Sequence, residues 1–150
     1  MLSTKNESVE RVVHASPEAI FAVLADPSRH QEIDGSGSLR GGPASTTLAL
    51  GDEFGMDMQI GAKYSMTNTV VEFEPGRRIA WQARSSFDAV KKLIGGRIWR
   101  YELTPVEGGT LVRETWDISQ EAIPLLVSPL RSMTRRNMTK TLERLEKVVA

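Results

Sequence analysis

The segment PLLVSPLRSMTRRNMTKTLERLEKVVA, Pro124–Ala150, decides the fold. Apolar side chains recur at Leu126, Leu130, Met133, Met138, Leu142, Leu145 and Val149. Steps of three to five keep them on one stripe of a helix with 3.6 residues per turn. The spacing predicts a closing helix of about twenty-five residues, roughly 40 Å long at 1.5 Å per residue. Such a helix can lie across a sheet and close off the space between them. Its other side carries Arg131, Arg135, Arg136, Lys140, Arg144 and Lys147 against Glu143 and Glu146. These read as a solvated face with cations suited to a helix C-terminus.

Almost everything upstream reads as strand. Residues 8–14 (SVERVVH) alternate as a first strand. Ser16-Pro17-Glu18 then opens a helix: Ser caps it, Pro suits its first position and Glu complements the dipole. Ile20, Phe21 and Leu24 form its apolar face. Asp26-Pro27-Ser28 breaks that helix and caps a short second one through His30–Ile33. Residues 34–45 (DGSGSLRGGPAS) predict a mobile loop with little room for a strand. From Leu48 the period becomes two: Phe54, Met56, Met58 and Ile60 alternate with polar neighbours. Residues 64–74 predict a strand burying Thr69, Val71 and Phe73, and Pro75-Gly76 a tight turn. Ile79, Trp81 and Ala83 mark the next strand, and Arg97–Thr104 and Thr110–Ile118 a final pair. Between Phe87 and Gly96 the pattern decides nothing.

The chain has 150 residues and no repeat or internal boundary, so residues 1–150 read as one domain. A formal net charge of zero argues against a nucleic-acid binder held by general phosphate attraction. Without cysteine there is no disulfide, thiol catalyst or cysteine-ligated metal. The opening MLSTKNESVE lacks the apolar stretch of a signal peptide, and no run reaches the ~20 apolar residues of a membrane span. The expected location is cytoplasmic. Oligomeric state is left open.

An antiparallel sheet with one apolar face must bury it, and the closing helix is the one element large enough. The expected class is α+β. The inward candidates Phe54, Met56, Met58, Phe73, Trp81, Trp99 and Tyr101 suit either an apolar ligand or a plain core.

Four stretches carry a family resemblance: SVERVVHASPEAIFAVLADPSRH (Ser8–His30), VVEFEPGRRIAW (Val70–Trp81), YELTPVEGGTLVRETW (Tyr101–Trp116) and RRNMTKTLERLEKV (Arg135–Val148). The chain resembles the START-like or helix-grip superfamily, also called SRPBCC, and within it the polyketide cyclase/dehydrase group. The resemblance implies a curved antiparallel sheet of about six to seven strands wrapped on a long C-terminal helix, with two short helices after the first strand. It also implies an apolar ligand between sheet and helix, and a Gly-rich loop, here Gly35–Gly42, at the cavity mouth. It says little about chemistry, because the superfamily spans carriers, receptors, cyclases and co-chaperones.

Motifs for other chemistry fail. The glycines around Ser36 lack the Gly-Lys-Ser/Thr ending of a phosphate loop, no nucleophile elbow is present, and no cofactor fingerprint occurs, so no cofactor is expected. His30, Glu32 and Asp34 are spaced off one helical face, and no metal is expected there. His30 reads as a solvated helix end, a rim group or a base. Tyr101 and Arg97 are the other acid–base candidates, and Arg97 shares the strand face of Trp99 and Tyr101. Glu114 can face inward, depending on register. On the closing helix, Met133 joins the ligand-facing set with Asn137 and Thr141, the latter two in a polar stripe beside the apolar one.

Three functions follow. The first is binding of a small hydrophobic, lipid-, sterol- or polyketide-like molecule. The second is an enzyme of the cyclase/dehydratase type, for which the sequence shows no convergent constellation. The third is a protein-interaction module with a vestigial cavity.

Overall fold

The computed structural model describes residues 6–36, 39–41, 47–60, 62–85 and 95–149. Among these residues one antiparallel sheet holds seven strands in the order β1-β7-β6-β5-β4-β3-β2. They are β1 (Asn6–Val13), β2 (Leu39–Gly41), β3 (Glu53–Ile60), β4 (Ala62–Glu74), β5 (Arg78–Ser85), β6 (Gly95–Val106) and β7 (Gly109–Asp117). β3 to β7 form a meander, and β1 adds to its β7 edge. At the β4–β5 turn Gly76 adopts φ 74° after Pro75, and the Arg77 N–H closes the turn on the Glu74 carbonyl at 2.9 Å. The helices are α1 (Pro17–Leu24), α2 (His30–Ile33), α3 (Pro124–Val127) and α4 (Arg131–Val149). Ser16 caps α1 by accepting from the Ala19 N–H at 3.1 Å, as its sequence predicts.

The α+β helix-grip arrangement is the one expected, with four local corrections. First, the closing helix is broken. Pro129 lacks an N–H and so interrupts the i→i−4 hydrogen-bond ladder at that turn. The chain therefore runs as α3, a 3-10 turn over Ser128–Leu130, and a 19-residue α4, which is about 28 Å long. Met138, Leu142 and Leu145 are buried as predicted, but Leu126, Leu130 and Met133 are 53%, 39% and 43% exposed, and Thr134 and Thr141 take the buried places. The break re-phases the stripe, and α4 packs chiefly on β1 and α2 instead of crossing the whole sheet.

Second, the Gly-rich stretch contains a strand. β2 pairs with β3, and Leu39 is buried. Residues 37–38 and 42–45 of the predicted loop, like most of the undecided Phe87–Gly96 segment, lie outside the described residues.

Third, β4 is bulged between Val70 and Glu72. One extra residue reverses the alternation. Asn68 and Val70, with Phe73 beyond the bulge, face the core in place of Thr69 and Val71.

Fourth, the basic side of α4 is partly engaged. Glu7 accepts from Arg131 at 3.1 Å and pairs with Arg135, and Glu146 accepts from Arg11 at 2.8 Å. These pairs tie both ends of α4 to β1.

Candidate functional site

The strand register places Trp81 on β5, Trp99 and Tyr101 on β6, and Val112, Glu114 and Trp116 on β7 on the same face, turned toward α4 and α2. Phe54 and Met56 on β3 and Asn68 on β4 continue that face. Helix α2 covers its middle. His30 stacks on Trp81 with centroids 4.8 Å apart and planes at 20°, and meets Phe54 edge-on at 5.4 Å. Phe54 meets Trp81 at 5.6 Å, and Trp81 leans on Tyr101 at 5.5 Å. Phe54, Trp81, Tyr101 and His30 thus form one buried cluster.

His30 is 4% exposed, which corrects its reading as a solvated helix end. Its Nε2–H donates to the Leu24 carbonyl at 2.8 Å, so Nδ1 carries the lone pair, and that atom is buried without a partner. Burial lowers the His30 pKa against the opposing effects of the Leu24 carbonyl and Asp26. The ring is therefore a neutral, unused base.

Tyr101 and Glu114 are direct cross-strand partners, and the Tyr101 hydroxyl donates to Glu114 Oε2 at 3.0 Å. Glu114 Oε1 is buried without a partner. Burial raises the Glu114 pKa from 4.5 to about 8; the Tyr101 hydrogen bond opposes this and nearby Asp34 adds to it. Burial, reinforced by Glu114, also holds the Tyr101 phenol well above its ordinary value. The pair is predominantly uncharged at neutral pH. Asn68 Nδ2 and Trp116 Nε1 are two more buried polar atoms without partners on this face.

Asp34 reaches this region because the chain after α2 is fastened to α4. The Gly35 N–H donates to Thr141 Oγ1 at 2.9 Å, and Arg144 donates to the Asp34 carbonyl. A Cβ on Gly35 would lie 2.0 Å from the Asn137 carbonyl oxygen. The Asp34 carboxylate accepts from the Ser36 N–H at 3.1 Å and the Leu39 N–H at 2.8 Å. Gly35 and Leu39 are thus anchored where the sequence predicted mobility.

The other predicted residues lie apart from the cluster to different degrees. Met56 and Trp99 are half-buried against it, and Met58 is half-buried on β3. Phe73 packs edge-on against Phe21 of α1 at 5.4 Å. Thr141 is buried and engaged with Gly35, Asn137 is half-buried, and Met133 is exposed. Arg97 is only partly engaged: Glu121 pairs with a terminal guanidinium nitrogen at 3.5 Å and accepts the backbone N–H at 2.9 Å, and the buried Nε has no partner. Among the described residues no group of three or more metal-ligating side chains comes together.

Glu114, whose direction the sequence left to the register, faces inward, and Asn68 was missed as a site candidate. Glu114 breaks the inward run Thr110, Val112, Glu114, Trp116, a legible signal once β7 is phased. Asn68 had none, because the bulge hides its parity.

On the opposite face, a depression of about 540 Å3 is lined by Leu50, Val71, Glu72, Phe73, Glu74, Arg78, Arg100 and Glu102. Within it Arg100 pairs with Glu72 at 2.7 Å and Arg78 with Glu102 at 2.9 Å. Hydrogen bonding to Arg100 lowers the Glu72 pKa despite partial burial.

A curved antiparallel sheet closed by a C-terminal helix, with short helices after its first strand, is the α+β helix-grip fold. The family model described as polyketide cyclase / dehydrase and lipid transport matches residues 6–150, and the chain belongs to that family. An uncharacterized protein of Mycobacterium tuberculosis is 35% identical over 107 residues, 69% of this chain. The chain spans only 43% of that relative's length. A Chromobacterium violaceum protein of known structure is 19% identical, with 98% of each chain covered and a TM-score of 0.73. The di-domain ARO/CYC StfQ from the steffimycin biosynthetic pathway is 15% identical, with a TM-score of 0.69 over 96% of this chain and 50% of that one. At these identities the two structural likenesses establish the fold alone. Among the described residues no helix is long and apolar enough to cross a membrane.

Proposed function

We propose that this chain binds a small, mostly apolar molecule of lipid, sterol or polyketide type between the inner sheet face and α4. The observation that carries this reading is the set of unpartnered buried polar atoms of His30, Asn68, Glu114 and Trp116 on an otherwise aromatic face. Each such atom costs ~1–3 kcal/mol when left unpaired. A molecule bearing a few oxygens on an apolar frame supplies those partners while its carbon surface replaces the side-chain contacts it displaces. The half-buried Met56, Met58, Phe73, Trp99 and Asn137 mark the way in, and Phe54, Trp81, Tyr101 and Thr141 the interior. Met133 stands at the outer rim.

The test is a thermal-shift screen against fatty acids, sterols, flavonoids and aromatic polyketides, with native mass spectrometry of the purified protein. A ligand at a hundredfold excess over its Kd stabilises by about 2.7 kcal/mol, a rise of roughly 5–11 °C. A hit lost in Trp99→Ala with the fold intact supports the reading. No shift and no bound mass shift the weight to a protein-interaction module.

The same atoms favour a second reading, a cyclase/dehydratase-type enzyme. His30 Nδ1 is an unprotonated base, and the Tyr101–Glu114 pair is an acid, both in a setting that excludes water. Turnover of an enolisable polyketone that disappears in His30→Gln, with binding retained, would establish it.

A further inference from the structure

Glu114 sits on the inner face of β7 between Val112 and Trp116, and it has one oxygen in use and one idle. The Tyr101 hydroxyl donates to Oε2 and fixes the carboxyl plane, leaving Oε1 for a proton with no acceptor in the protein. A carboxylic acid in that position is a hydrogen-bond donor. The charges around it decide what it can donate to. Asp34 is the acidic neighbour, felt by both Glu114 and Tyr101. On the facing side of β1, Glu7 is held by Arg131 and Arg135, and Arg11 by Glu146. Arg97 pairs with Glu121 at 3.5 Å through a terminal nitrogen, while its buried Nε has no partner. The buried side of α4 offers Thr134, Met138, Thr141, Leu142 and Leu145, none of them titratable, and His30 of α2 is neutral. An anionic head group placed at Oε1 would therefore be buried beside Asp34, with Arg11, Arg131 and Arg135 already paired and Arg97 turned to Glu121.

We propose, resting on the ligand-binding reading above, that Glu114 is the specificity residue of the site: held by Tyr101, its Oε1–H donates to an uncharged carbonyl, hydroxyl or ether oxygen of the ligand. The site accepts neutral oxygenated molecules and discriminates against carboxylates, free fatty acids included. Oε1 is buried, so the ligand reaches it by displacing side chains packed over it. Ionisation of Glu114 removes the donor, and its pKa of about 8 puts that loss in the mildly alkaline range. Tyr101 stays protonated there, since its own pKa is well above the ordinary phenol value.

The test is calorimetric titration of the full chain with naphthalene, 2-acetylnaphthalene and 2-naphthoate, below and above the Glu114 transition, at about pH 6.5 and 9.5. In acid the ketone should bind about tenfold or more tighter than the carboxylate and clearly tighter than the hydrocarbon, the scale of one buried hydrogen bond. The ketone advantage should shrink by about tenfold in alkali for the natural chain. It should be independent of pH in Glu114→Gln, which keeps a neutral donor, and absent in Glu114→Leu. Preference for naphthoate, or a ketone affinity in the natural chain that ignores pH, overturns this assignment alone. Failure of all three probes at both pH values overturns the ligand-binding reading and this assignment with it.

Discussion

Replacing Glu114 by Gln should stabilise the protein, and by an amount that depends on pH. The native state holds this carboxyl at a pKa of about 8, against 4.5 for a solvated one, because burial disfavours its charge. Between those values the folded chain keeps a proton that the unfolded chain releases, so stability falls as pH rises through the window and levels off above it. At 1.36 kcal/mol per pH unit, linkage gives a cost of about 1 kcal/mol at pH 5, about 3 at pH 7 and about 5 at pH 9. Gln has nearly the same shape, can accept from the Tyr101 hydroxyl and has no charge to suppress. The variant should be near parity at pH 5 and more stable by about 3 kcal/mol at pH 7, a rise in Tm of roughly 6–12 °C. Urea unfolding of both proteins at the three pH values measures the difference directly, since every other titrating group is common to both. A difference that stays constant from pH 5 to 9, or a variant less stable at pH 9, would refute the argument that Glu114 is buried and protonated.

Gly35→Ala forces a methyl against the Asn137 carbonyl oxygen at 2.0 Å and should cost ~3 kcal/mol or more. Gly55→Ala, whose nearest contact is 3.9 Å, is its control and should stay within about 0.5 kcal/mol by chemical denaturation. Leu142→Ala opens a cavity at a residue 1% exposed under α4, with an expected loss of about 2–5 kcal/mol in urea melts. Ser16→Ala removes the cap on the Ala19 N–H and should cost about 1 kcal/mol, recovered in large part by Ser16→Asn.

Short-range patterns carried the element types. The Ser16-Pro17 cap, the Pro75-Gly76 turn and the alternation of Phe54 with Met56, or of Ile79 with Trp81, each depend on residues within a few positions. Phase within an element was less legible. The β4 bulge puts Asn68 and Val70 in opposite parity to Phe73, and Met133 lies outward beyond the 3-10 turn at Pro129, because one irregularity separates the phases on its two sides.

By itself, then, the sequence determined an α+β chain with an antiparallel sheet, two early short helices and an amphipathic closing helix, and it named most of the aromatic face. Only the tertiary structure decided which polar groups that face encloses. His30 is buried because α2 lands on Trp81 and Phe54, and Glu114 meets Tyr101 because β7 pairs with β6 in one register. Leu39 becomes a strand residue because β3 lies beside it. Such pairings join residues far apart along the chain. Their consequences for charge, through desolvation and the placement of single protons, have no periodicity from which they could be read.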